Sequence, residues 1–288
     1  MPANPQKHPC QDCTFCQWCG DDRCELCLRK GSCCRKTLSL AEQIAQYDEV
    51  NRKEPTGCGS DETVDHVGDY GLKIVQPKNG YRFSVDPVLL ADFAGNEALK
   101  ILDLGTGCGI IPLIMARKSA DAKVVGVEFQ AEMAAFARRN VAGNNLADRV
   151  EIIESDIMSL KGRLEPEGFD LVISNPPYRK PGEGKTSPKK GRDLARHEST
   201  ASLADFLAVA KRLVKPGGSI CMIYHPERLP EMMAECLNIK LCPVRLQMVH
   251  GTYSLSARIF LIELLKGRKK ALEVLPPIVV REPIRGEN

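Results

Sequence analysis

The sequence predicts an α/β protein whose parallel sheet is covered by helices on both faces, preceded by a small cysteine-rich appendage. Three observations carry this. From residue 70 onward, near-continuous apolar, β-branched runs alternate with segments of helical spacing, the pattern of a sheet buried on both sides. A glycine cluster stands directly between the first such strand and the helix after it. Ahead of this pattern, eight of the thirteen cysteines crowd between Cys10 and Cys34.

Taken in order, residues 1–35 hold few aliphatic side chains and cannot build a hydrophobic core alone. Residues 37–52 place Leu38, Leu40, Ile44 and Val50 at loosely helical spacing, with Ser39 as an N-cap. Residues 53–69 are acidic and rich in Gly and Asp, and read as a linker. The body, 70–288, then alternates. Strands are expected at 98–104, 122–129, 149–156, 169–174 and 218–225, and helices at 111–120, 131–144, 203–214 and 226–238. The tail adds apolar runs at 244–251 and 257–265 with no helix between them, which predicts an antiparallel closure of the sheet.

Charge divides along the same boundary. Residues 1–69 carry 8 Lys/Arg against 12 Asp/Glu, and residues 70–288 carry 32 against 25, so the body is the basic part and favours an anionic partner. No apolar stretch has the 18 or so residues of a membrane helix. MPANPQKHPC lacks the apolar core of a secretory signal, and a cytosolic protein is expected.

The glycine cluster is ILDLGTGCGIIPL, with Gly105, Thr106, Gly107 and Gly109 after a strand. Glycines there permit a tight turn and let a ligand approach the backbone and the next helix's N-terminus. The spacing G-x-G-x-G is one residue tighter than the dinucleotide fingerprint, and Asp103 before it would repel a pyrophosphate but suit an ammonium group. Glu128 ends the second strand, where a carboxylate can take two hydrogen bonds from a ribose diol. Asp156 ends the third, where an acid can accept from an adenine amino group. DLGTGCG, Glu128 and Asp156 together resemble the first motifs of class I S-adenosylmethionine (SAM)-dependent methyltransferases. That resemblance implies a Rossmann-like, seven-stranded sheet and SAM as cofactor.

The fourth strand, FDLVIS, stops on Asn175, Pro176, Pro177 and Tyr178. Two prolines end a ladder because they donate no N–H, which leaves the flanking Asn and Tyr unexplained. Methyltransferases of planar amines share an Asn-Pro-Pro-aromatic motif at this place. The Asn175 side-chain oxygen and the Pro176 carbonyl can take the amine's two N–H bonds and aim its lone pair at a methyl group. Tyr178 can stack on the planar substrate. Asn175 thus borders both amine and cofactor. The motif by itself admits adenine N6, guanine N2, cytosine N4 or a glutamine amide.

Three further segments resemble bacterial tRNA adenine-N6 methyltransferases, which act on the adenosine beside the anticodon of a valine tRNA. NGYRFSVDPVLLADFA (79–94) precedes the first strand; the resemblance implies that Phe83, with Tyr81, covers the bound cofactor. Residues 179–198 carry seven Lys/Arg against three acids, and Arg179, Lys180, Lys185, Lys189, Lys190, Arg192, Arg196 and His197 suit a phosphate backbone. LEVLPPIVVRE (272–282) matches that family's ending. The expected partner is therefore RNA, and tRNA in particular.

Cys10, Cys13, Cys16, Cys19, Cys24, Cys27, Cys33 and Cys34 repeat C-x2-C pairs, which suit thiolate coordination in a reducing compartment. Eight thiolates fill two zinc sites, while the first three also resemble an iron–sulfur run. Either metal would fold a segment that has almost no core. Cys58, Cys108, Cys221, Cys236 and Cys242 are scattered and expected to pack as small apolar residues. Two rival functions remain at this stage: methylation of a protein glutamine, and a non-catalytic SAM- or RNA-binding module.

Overall fold

The computed structural model describes residues 61–78, 82–176, 201–252 and 254–280. All lie in the compact unit Pro55–Asn288. The cysteine cluster and the expected helix at 37–52 lie outside the described residues. The strands are β1 (Glu62–Val67), β2 (Leu72–Pro77), β3 (Lys100–Leu104), β4 (Lys123–Glu128), β5 (Val150–Glu154), β6 (Phe169–Ser174), β7 (Val214–Tyr224), β8 (Leu241–His250), β9 (Ala257–Lys266) and β10 (Glu273–Val279). The helices are α1 (Asp86–Phe93), α2 (Ile110–Lys118), α3 (Ala131–Gly143), α4 (Leu203–Leu213) and α5 (Leu229–Asn238).

The main sheet runs β10-β8-β9-β7-β6-β3-β4-β5. β5, β4, β3, β6 and β7 are parallel neighbours. β9 lies antiparallel to β7 and β8, as the helix-free ending predicts. Side chains alternate between two cores, as a strand's period of two requires. Leu171 and Ile173 join one core with Leu90, Ile114 and Phe136, while Val172 joins the other with Phe206 and Met232. Cys108, Cys221 and Cys236 are buried among them as small packing residues, and Cys242 is half-buried.

The sheet has eight strands where seven were expected. The eighth is β10, which lies on the outer edge parallel to β8. Pro276 and Pro277 argue against a strand in the sequence, but an edge tolerates them, and the pairing shifts register where they fall, between Leu275 and Ile278. The expected linker also proves partly wrong. Residues 62–67 form β1, antiparallel to β2, in a ribbon of its own. The ribbon's fully buried anchors, Leu72 and Ile74, fall on β2, while β1 adds only partial packing at Val67, so its sequence reads as polar. β1 is paired with β2 along its length, and its first residue, Glu62, also accepts from both Nη atoms of Arg139 on α3 at 2.6 and 2.8 Å.

Candidate active site

The strand order turns four separated sequence motifs into a line. Along the carboxyl edge, β5, β4, β3 and β6 bring up Asp156, Glu128, Asp103 with the glycine loop, and Asn175, in that order. Leu104 lies beside Val127 on one side and Ser174 on the other, so each step is one strand spacing, about 4.8 Å. Asp156 stands two residues beyond the end of β5 rather than within it.

Gly105, Gly107 and Gly109 have φ of 79°, 57° and 86°, left-handed conformations that glycine adopts without strain. The N–H groups of Gly105 and Thr106 both donate to the Val127 carbonyl at 2.9 Å, which pins the turn to β4. Close approach is built in elsewhere too. A Cβ on Gly126 would lie 2.9 Å from Thr106 Oγ1, and one on Gly109 would lie 3.2 Å from the Ala137 Cβ of α3. Thr106 thus turns its hydroxyl inward, toward β4.

Asp103 is fully buried, and neither of its carboxylate oxygens has a hydrogen-bond partner. Burial pushes its carboxyl up to about 7; the Thr106 hydroxyl, close by but itself without a hydrogen bond of normal geometry, opposes the rise, and the Glu128 carboxylate adds to it. Glu128 is buried as well, and burial raises its carboxyl. Its Oε1 accepts from the Gln130 N–H at 2.9 Å and its Oε2 from the Gly107 N–H at 2.8 Å. Asp156 Oδ1 accepts from the Met158 N–H at 2.9 Å and caps a short 3-10 turn. Close to these acids in the chain stand two exposed apolar side chains, Phe129 (50% exposed) directly after Glu128 and Met158 (53%) two residues after Asp156.

At the far end of the line, the buried Ser174 hydroxyl donates to the Leu104 carbonyl at 2.8 Å, which locks the end of β6 to the start of the glycine loop. Asn175 is half-buried and Pro176 buried. Phe83 is half-buried against the α1–α2 core, and its N–H donates to Gln76 Oε1 at 3.1 Å. Tyr81, Pro177, Tyr178 and the basic segment 179–198 lie outside the described residues. Where the chain is described again, a capping box between Ser202 and Asp205 starts α4.

Sequence reasoning missed the residues that hold this line in place. Phe206 of α4 packs beneath Gly105. Asn140 on α3 accepts from the Val75 N–H at 2.7 Å and donates to the carbonyls of Val75 and Cys108, each at 2.9 Å. Asn144, one turn on, accepts from the Lys73 N–H at 3.0 Å and donates to the carbonyls of Lys73 (2.7 Å) and Asn140 (2.8 Å). The signal was present in Asn140, a residue type that helix interiors disfavour; Asn144 is the C-cap of α3, where an Asn is ordinary and gave no signal.

The donor set fits SAM. Two orphaned buried acceptors at Asp103 match an ammonium, Glu128 keeps lone pairs for a ribose diol, and the glycines keep the loop free of side chains. Residues 96–268 match a family described as a methyltransferase domain. A tRNA1(Val) (adenine(37)-N6)-methyltransferase of Porphyromonas gingivalis is 34% identical over 57% of this chain and 67% of its own length. The corresponding protein of Aeromonas hydrophila is 32% identical over 67% and 75%. Among solved structures, a predicted O-methyltransferase of Agrobacterium tumefaciens has a TM-score of 0.55 at 26% identity, covering 68% of this chain and 87% of that one. Methanocaldococcus jannaschii Trm5 bound to adenosine shares the fold, with a TM-score of 0.52 at 14% identity over 74% and 57%. With a matching domain model across more than half of its residues and relatives this similar, the chain belongs to the methyltransferase domain family and, within it, to the tRNA1(Val) (adenine(37)-N6)-methyltransferase group.

Proposed function

We propose that this chain transfers a methyl group from SAM to the exocyclic N6 of an adenosine in RNA, with a tRNA adenosine near the anticodon as the substrate. The observation that carries the reading is the adjacency of β6 and β3: the strand that ends in Asn175-Pro176 is hydrogen-bonded to the strand that ends in Asp103 and the glycine loop. An amine clamp there faces the methyl-bearing part of a ligand held by that loop. The similarity to adenine-N6 methyltransferases of tRNA favours adenine over the other planar amines.

Bound SAM supplies an electrophilic methyl on a sulfonium. Asp103 takes the ammonium end, Glu128 the ribose hydroxyls, and Asp156 the adenine amino group through the oxygen that Met158 leaves open. Phe129 and Met158 offer apolar faces to the adenine ring, and Phe83 covers the ligand. Asn175 and Pro176 accept the two N–H bonds of the substrate amine, which orients its lone pair and offsets the positive charge that grows on nitrogen. Pro177 fixes the backbone, and Tyr178 stacks on the base. No strong base is needed, because the proton can leave after transfer. The cations between Arg179 and Arg196, with His197, take phosphates. The cysteines from Cys10 to Cys34 would hold zinc or an iron–sulfur cluster, which elemental analysis separates. Such a substrate implies a cytoplasmic protein.

The test is transfer of labelled methyl from SAM to total tRNA, followed by nucleoside mass analysis. N6-methyladenosine in the tRNA is the expected product; label confined to protein would overturn the reading in favour of glutamine methylation. Asn175→Ala should abolish turnover and leave SAM affinity within a few-fold of wild type, as loss of a group that borders the cofactor but hydrogen-bonds the reacting amine requires.

A further inference from the structure

Asn140 sits where two parts of the site meet. Both hydrogens of its Nδ2 and its Oδ1 are engaged, two on the Val75 backbone of β2 and one on the Cys108 carbonyl. Cys108 lies between two left-handed glycines, Gly107 and Gly109. The chain of contacts continues past Val75. Gln76, which is 2% exposed, holds the Phe83 N–H at 3.1 Å and donates to Asp65 of β1, and Asp65 also binds Arg82 Nη2 at 2.7 Å. One buried amide therefore connects the glycine loop to the ribbon that sets the backbone of Phe83. An amide bonded on two sides cannot follow one partner without straining its bond to the other, so loop and ribbon are held in a single register.

We infer that Asn140 is a positioning residue for cofactor binding: it fixes the glycine loop against the β1–β2 ribbon, so that the loop and Phe83 close on SAM together. This rests on the assignment of the glycine loop to SAM made above. Asn144 supplies an internal comparison. It makes the same kind of two-sided amide contact to the same strand, from the same helix, and does not touch the glycine loop.

The experiment compares Asn140→Asp with Asn144→Asp. Each is isosteric, and each turns an oxygen toward two carbonyls, so the structural damage is matched and both melting temperatures should fall alike. Asn140→Asp should raise the SAM dissociation constant about tenfold, the scale of one or two buried hydrogen bonds, and Asn144→Asp by less than about twofold. With tRNA at saturating SAM, kcat should stay within about threefold of wild type in both, which is the signature of binding rather than chemistry. Equal losses of SAM affinity in the two variants, or none in Asn140→Asp, would overturn the inference. Should Asn140→Asp fail to fold, hydrogen exchange on the wild-type protein decides. SAM should slow exchange of the Val75 amide about tenfold more than that of the Lys73 amide, and equal slowing would overturn the inference. Wild-type protein that takes up no SAM would instead refute the cofactor assignment itself.

Discussion

Asp103 and Asn140 are both almost wholly buried, and both lie beside the glycine loop, yet they differ in one respect. The amide of Asn140 uses both of its donors and its acceptor, whereas the carboxylate of Asp103 uses neither oxygen. Native interiors leave few buried polar atoms unpaired, because each costs on the order of 1–3 kcal/mol. A saturated buried group is accounted for by the fold. An orphaned one, next to a loop shaped by three left-handed glycines, is the kind of group that a bound ligand would complete.

The largest effect that could break this comparison is expected at Asp103. Asp103→Asn keeps the shape and removes the charge, so SAM affinity should fall about 100-fold, the upper scale for a charge-assisted bond. Because the orphaned carboxylate costs stability, the melting temperature of the ligand-free variant at pH 8 should not fall below that of wild type. Calorimetric titration and a thermal scan check both halves, and a collapse in melting temperature would make Asp103 a structural residue after all. Next comes Gly126→Ala. Its Cβ would meet Thr106 Oγ1 at 2.9 Å and Ile152 Cδ1 at 3.0 Å, so a loss of about 1–3 kcal/mol in denaturant unfolding is expected. Affinity for SAM should drop with it, since Thr106 lies in the loop.

The same orphaned carboxylate sets a pH dependence. Its folded value near 7 lies above the ordinary carboxylate value of about 3.9, so between these limits the folded, ligand-free protein holds a proton that the unfolded chain has lost. Stability without ligand should therefore decline as pH rises from about 4 to about 7 and level off beyond, a slope absent from Asp103→Asn. An ammonium partner requires the ionised form. SAM affinity should accordingly weaken by up to about tenfold per pH unit below 7, with a proton released on binding that buffers of different ionisation enthalpy would reveal.

The line of acids was legible in the sequence because each element of it obeys a local rule. The alternation of strand and helix, the glycine spacing after Asp103, and the acids at the strand ends can all be read within a window of a few residues. What stayed hidden depends on partners far away in the chain. Residues 62–67 look like linker because the ribbon's fully buried anchors belong to β2, and the bond that Glu62 makes to α3 reaches Arg139, 77 residues away. Asn140 looks like a poor helix residue and Asn144 like an ordinary C-cap until β2 lies against them, 65 and 71 residues away. β10 carries two prolines, which its place at the edge of the sheet and a shift of register accommodate. Position along the sheet was likewise unreadable locally, because the order β5-β4-β3-β6 permutes the chain, and that permutation is what brings Asp156, Glu128, Asp103 and Asn175 into line.

The smallest effect sharpens the comparison from the opposite edge of the sheet. Asp170, on β6, is a carboxylate with every advantage that Asp103 lacks. Its Oδ2 accepts from the N–H groups of Leu99 and Lys100 at 3.2 and 2.8 Å, and its Oδ1 from Lys215 Nζ at 2.7 Å. Partial burial would raise its carboxyl, but the Lys215 ammonium and the two backbone donors outweigh that and hold it below the usual range. A depressed value means a contribution that is present at neutral pH and lost as pH falls through the carboxylate range. Because the pair with Lys215 is partly solvated, Asp170→Asn should cost less than about 1 kcal/mol in urea unfolding at pH 7. The difference from wild type should shrink toward zero below about pH 4. SAM affinity should not change, because Asp170 lies at the amino edge of the sheet, away from the glycine loop. A variant at Asp170 that weakened SAM binding as Asp103→Asn does would remove the distinction between a carboxylate the fold satisfies and one it reserves.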